Sequence, residues 1–151
     1  MRDPATPPAT TAIVVADTGE AFAALREGLG TDLPLVNAAT LAQAKRLVTG
    51  RTPLVLCDCH FDDGRMYDLL RHLKSVPELS AVPFLAIRMQ EGQLDDAMYE
   101  SVKIATRALG GDGFIDLFRW RMKYGPQAAS RKLAERLALL ASGSGNWEAS
   151  M

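Results

Sequence analysis

Short apolar runs recur along this chain at 12–16 (AIVVA), 33–37 (LPLVN), 53–57 (PLVLC), 82–87 (VPFLAI) and, more weakly, 113–117 (GFIDL). Each is continuous rather than alternating, the pattern of a strand covered on both faces, as in a parallel sheet. The segments between them carry helical spacing. Phe22, Leu25 and Leu29 share one face of the first. The second opens with TLAQ, a capping box in which Thr40 caps the backbone and Gln43 reaches back. Met66, Leu69, Leu70 and Leu73 stripe the third, and Leu94, Met98, Val102, Ala105 and Leu109 the fourth. Pro126 fits a first helical turn, after which Leu133, Leu137 and Leu140 mark the fifth. Five strands alternating with five helices predict a doubly wound α/β domain with right-handed crossovers; in the flavodoxin-like form of such a domain the five-stranded parallel sheet is ordered 2-1-3-4-5.

The 151 residues suffice for one domain, and a 48% hydrophobic content lets it bury a core without disulfides or metal. Residues 1–10, rich in Pro, Thr and Ala, read as a disordered lead; 11–141 form the domain; 142–151 read as a flexible tail, with no room for an output domain. No apolar run reaches the ~20 residues of a membrane helix, and the amino terminus lacks a signal-peptide pattern. Two cysteines one residue apart make a poor disulfide framework and fit a reducing cytoplasm. A net charge of −1 does not favour nucleic acid or an anionic membrane as partner.

In such folds ligands bind beyond the carboxyl ends of the strands, where strand order reverses. Asp17 follows the first strand and Asp58 the third, so two carboxylates converge at that crevice, with Arg88 ending the fourth strand beside them. Hard oxygen donors of this kind suit Mg²⁺. An Asp after a strand is also a common cap or turn former, and that plainer reading competes for Asp17 taken alone.

The stretches IVVAD (13–17), LVLCD (54–58), VPFLAIR (82–88) and LGGDGFIDL (109–117), in this order and spacing, resemble the receiver domain of two-component response regulators, over about residues 11–141. The resemblance implies a bacterial phosphorelay protein whose phosphoacceptor, charged by a histidine kinase, is Asp58. It also implies a Mg²⁺ site from Asp17, Asp58 and the backbone carbonyl of His60, and Phe114 as the aromatic switch position. The departures are as specific as the matches. Ala16 stands for the first of two adjacent acids, Arg88 for the switch Ser or Thr, Leu117 for a lysine and Phe118 for the proline after it. The usual three carboxylates and one lysine balance near −2; two carboxylates and one arginine leave about −1, and a weaker metal site.

Arg88 is therefore expected to contact Asp58 directly, its planar fork matching the carboxylate, or else to hold a phosphoryl oxygen in the lysine's stead. A zinc site at Cys57, Cys59 and His60 fails on spacing, with His72 a helix away. GGDG (110–113) reads as a turn. FRWRMKYG (118–125) interleaves aromatics with basic residues, as single-stranded nucleic-acid binders do, but long basic stems also cover apolar surface, and it is read as a rim. The resemblance makes the face of the fourth helix, fifth strand and fifth helix the surface for a partner or a homodimer, with Phe114, Trp120, Arg121 and Tyr124 as its interface residues. The reading is a stand-alone receiver-like domain, degenerate at its switch and acting through protein contacts. The alternative is an active receiver that catalyses its own phosphorylation on Asp58 with Mg²⁺.

Overall fold

The computed structural model describes residues 12–89 and 96–143. The expected lead at 1–10, Leu94 of the fourth stripe and the tail from 144, Trp147 included, lie outside the described residues. Strands β1 (Ile13–Ala16), β2 (Leu35–Ala38), β3 (Val55–Asp58), β4 (Phe84–Arg88) and β5 (Gly113–Asp116) form one parallel sheet in the order β2-β1-β3-β4-β5. The helices are α1 (Gly19–Leu29), α2 (Leu41–Leu47), a short turn α3 (Phe61–Gly64), α4 (Met66–Ser75), α5 (Asp96–Ala108), α6 (Leu117–Tyr124) and α7 (Pro126–Ala141).

Strand periodicity divides the core into two layers. Val14, Val55, Cys57, Phe84, Ala86 and Phe114 face α2, α4 and α5, where Ala44, Leu69, Leu70, Leu73 and Tyr99 meet them. Their neighbours Ile13, Val15, Leu56, Leu85, Ile87 and Ile115 face α1 and α7, against Leu25, Leu133, Leu137 and Leu140. Continuous apolar strands are thus buried on both sides, as the sequence required.

Local signals set the element ends. Thr40 Oγ accepts the Gln43 N–H at 3.1 Å, while Gln43 Oε1 accepts from Ala39 N at 2.8 Å, so the side chain reaches one residue before the cap. GGDG is a turn, and Asp112 clamps it by accepting from Phe84 N at 2.8 Å and donating its own N–H to Phe84 O at 2.8 Å. Gly111 has no room for a side chain there: a Cβ would fall 2.6 Å from Thr106 Cγ2.

Two expectations change. The 118–125 stretch is mostly helix α6, not a plain rim. Asp116 starts it by accepting the Arg119 N–H at 2.9 Å, and Gly125 ends it at φ 87°, a conformation costly for other residues. In α5 the buried line runs through Tyr99, Val102, Thr106 and Leu109, while Met98 is 49% exposed. The i, i+3, i+7 spacing fits either line, and the bulk of Tyr99 against Phe114 selects the second. Tyr99→Ala should therefore cost about 3 kcal/mol and Met98→Ala no more than about 0.5 kcal/mol, read from urea unfolding. Equal costs would contradict the register.

Candidate functional site

Sheet register decides which side chains meet at the carboxyl ends. Ala16 lies opposite Cys57, so the next position sets Asp17 beside Asp58, on the same side of the sheet. Both carboxyls are largely enclosed. Asp17 Oδ1 accepts from Thr18 N at 2.8 Å, and Asp58 Oδ2 accepts from His60 N at 2.9 Å. Burial, then the Asp58 charge, push the Asp17 carboxyl up to about 7; the Thr18 hydrogen bond opposes them. Burial also raises Asp58, against the His60 N–H and the His60 charge.

Arg88 does not meet Asp58. In the register Asp58 pairs with Ile87, one residue short of Arg88, and successive residues point to opposite faces. Opposite Arg88 in the register stands Asp116 on β5. The Arg88 guanidinium Nη1 donates to Asp116 Oδ2 at 3.1 Å, with the two side chains only 6% and 20% exposed. Tyr99 and Phe118 complete the cage, their ring centres 4.0 Å and 4.8 Å from Arg88 Cζ. Phe118, at the proline position of the resemblance, thus becomes a lid on the arginine. Leu117, at the lysine position, is fully buried in the α7-side core and brings no charge to the crevice.

A polar link joins the acidic crevice to this cage. His60 Nε2 and Tyr99 Oη lie 2.9 Å apart, and their rings meet edge to face. The β3–α4 turn holds His60 in place through two aspartates in left-handed conformation, Asp62 (φ 44°) and Asp63 (φ 60°), which Asp tolerates better than most residues. Asp62 Oδ2 also accepts the Leu41 N–H at 2.8 Å, fastening the turn to the start of α2. Asn37 Nδ2 donates to Val15 O at 3.2 Å and Asp17 O at 2.9 Å, bracing the other end of the crevice.

The cysteines carry no exposed chemistry. Cys57 is fully buried and Cys59 donates to Ile87 O at 3.2 Å; burial pushes both thiols up, away from the thiolate. Among the described residues no cluster of three or more His, Cys, Asp or Glu could hold a metal. The crevice offers instead two carboxylates near the His60 backbone, a donor set of hard oxygens.

The expected interface anchors divide. Phe114 is buried behind Tyr99 and belongs to the core, because β5 presents it inward. Arg121 donates to Met89 O at 3.1 Å and ties α6 to the end of β4. Trp120 is half-buried against the α7 side, and Tyr124 is exposed, as are Ile104 and Met122. Sequence reasoning missed Tyr99, Asp116 and Asn37. Only the pairing of β4 with β5 shows that Asp116 faces Arg88; Tyr99 was hidden by the choice of Met98 for the buried stripe.

No protein-family model and no curated protein matches the sequence. Solved structures do match. The chain is similar to the phosphorylated cyanobacterial phytochrome response regulator RcpA, at 15% identity and a TM-score of 0.64, covering 88% of this chain and 95% of that one. A putative response regulator from Chloroflexus aurantiacus J-10-fl follows at 18% identity and a TM-score of 0.59, covering 84% and 97%. The Mn²⁺-bound form of response regulator Rcp1 matches at 19% identity and a TM-score of 0.57, covering 80% and 89%. At these identities the likeness speaks for architecture: the chain has the receiver fold of response regulators.

Proposed function

We propose that this chain is a receiver-like signalling domain whose phosphoryl switch has been replaced by a fixed ion pair, and which works in the cytoplasm through protein–protein contacts in a two-component or derived pathway. The observation that carries this reading is the Arg88–Asp116 pair. It occupies the place where, by the resemblance, a small hydroxyl would move towards a phosphoryl group. A guanidinium bonded to a carboxylate and covered by two rings has no comparable freedom. The buried Leu117 supports the same reading, since no lysine reaches the crevice from β5.

Asp17, Asp58 and the His60 carbonyl are the residues that would hold Mg²⁺, which when bound would neutralise the two carboxylates. With one acid fewer than the usual site, this affinity should be weak. The partner is a histidine kinase or another signalling protein. It would meet the surface around α5, β5 and α7, where Ile104, Met122 and Tyr124 expose apolar area. Arg88, Tyr99 and Asp116 lie beneath that surface and hold it in one arrangement, so its binding state does not depend on Asp58.

A second reading, an active phosphoacceptor, draws on a different observation. Asp17 and Asp58 are adjacent, and the Asp58 charge raises the cost of ionising Asp17, which is the setting in which a divalent cation is attracted. Intact mass after a small phosphodonor and Mg²⁺ separates the two. We expect little or no adduct, and an unchanged sedimentation profile. A near-stoichiometric adduct that disappears in Asp58→Asn would establish the active reading instead.

The acidic pair also sets a pH dependence. An acid whose pKa is higher folded than unfolded is penalised once ionised. Stability present at low pH is therefore lost as pH rises from the ordinary 3.8 of Asp17 through its folded value of about 7. Asp17→Asn should stabilise the protein at pH 8 by about 1–2 kcal/mol and have a much smaller effect at pH 4. Thermal melts across this range check it, and an equal effect at both ends would contradict the assignment.

A further inference from the structure

A cavity of about 410 Å³ opens between α5 and the α6–α7 hairpin, on the far side of the Arg88 cage from the acidic crevice. Its size falls in the range of small-molecule sites, about 300–1,000 Å³. Among the described residues, five cations line it, Lys103, Arg119, Lys123, Lys132 and Arg136, against two acids, Glu100 and Asp116. Asp116 is already committed, one oxygen to Arg88 and the other to the start of α6. In a chain of net charge −1 this concentration of positive charge is local.

Arg136 gives the cavity its specific character. It is only 9% exposed, yet among the described residues no carboxylate pairs with it. Its guanidinium lies over the Trp120 ring at 5.5 Å instead. A buried cation without a counter-charge is costly to keep, and desolvation accordingly lowers its pKa. Lys132 is placed similarly, its Nζ 5.1 Å from the centre of Trp120 and 5.4 Å from that of Tyr124, with Lys123 5.2 Å from Tyr124. Cations held on ring faces, converging on one concavity, leave their donors available for an anion carrying several charges.

We propose that this cavity binds a small phosphorylated ligand of nucleotide size, its phosphates held by Lys123, Lys132 and Arg136 and its ring packed against Trp120 or Tyr124. Phosphate matches the guanidinium fork and the ammonium heads, and aromatic side chains provide sequence-tolerant stacking surface for a base. An acidic protein segment would also be attracted by the charge. A concavity of single-ligand volume, lined by aromatic rings, favours the small molecule. The inference does not rest on the degenerate-switch reading: a phosphoryl adduct on Asp58 would leave the cavity as it is, and a cavity that binds nothing would leave the adduct result as it is.

The test is a titration of the isotope-labelled protein with ATP, in EDTA to keep divalent cations from Asp17 and Asp58, following the Trp120 indole N–H by NMR. We expect saturable shifts confined to the residues around the cavity, with a Kd of about 1 mM or tighter. Arg136→Gln should weaken binding at least about tenfold, and Asp58→Asn should leave it unchanged. Should Arg136→Gln fail to fold, the partly exposed Lys132→Gln carries the same expectation. Absence of saturable shifts would overturn the proposal, as would equal shifts from sulfate at matched ionic strength. Binding of an oligoglutamate peptide with no response to ATP would also overturn it, and would assign the face to an acidic protein.

Discussion

The ion pair between Arg88 and Asp116 fastens the last two strands at their carboxyl ends, and its surroundings are built to keep it. Tyr99 from α5 and Phe118 from α6 cover the guanidinium, and the second oxygen of Asp116 starts α6. One carboxylate therefore neutralises a buried cation and caps a helix at once. Breaking such a pair by removing one partner leaves a buried charge uncompensated, which commonly costs about 3–5 kcal/mol. The pair is less a source of net stability than a constraint: with either charge present, the other is needed.

That constraint separates two regions the fold places close together. In the crevice, Asp17 and Asp58 share an enclosure without a cationic side chain of the β4–β5 cage to neutralise them, and the proton is the counter-ion closest to hand. Burial and mutual repulsion raise the Asp17 carboxyl to about 7. On the other side of Tyr99, cations crowd a cavity with few acids. His60 and Tyr99 connect the two regions through one hydrogen bond of 2.9 Å, a polar route that passes beside the arginine cage. A change at Asp58 would have to move that cage to be felt at the surface.

Much of this was legible from the residues. Continuous apolar runs and capped, striped helices specify a parallel sheet and its covering layers, and the resemblance to receivers supplied the strand order. The positions of Asp17 and Asp58 follow from those strand ends. The partner of Arg88 did not follow, because it depends on register: a shift of one residue turns the side chain from Asp58 towards Asp116, and sequence spacing does not fix that offset. Helix α6 was missed because its signals, an aspartate cap and a closing glycine, bracket eight residues with too few apolar positions to show a stripe. The α5 stripe was misplaced by one residue since Met98 and Tyr99 both satisfy helical spacing, and only packing against Phe114 distinguishes them.

The central claim is that Arg88 is bound to Asp116 and not to the acidic crevice, and paired double-mutant cycles measure this directly. Arg88→Met preserves most of the side-chain volume, Asp116→Asn retains the cap on α6, and Asp58→Asn removes the crevice charge. From urea unfolding of the single and double variants, the Arg88–Asp116 coupling should be about 1–3 kcal/mol and the Arg88–Asp58 coupling below about 0.5 kcal/mol. A strong coupling of Arg88 to Asp58, with little or none to Asp116, would contradict the account.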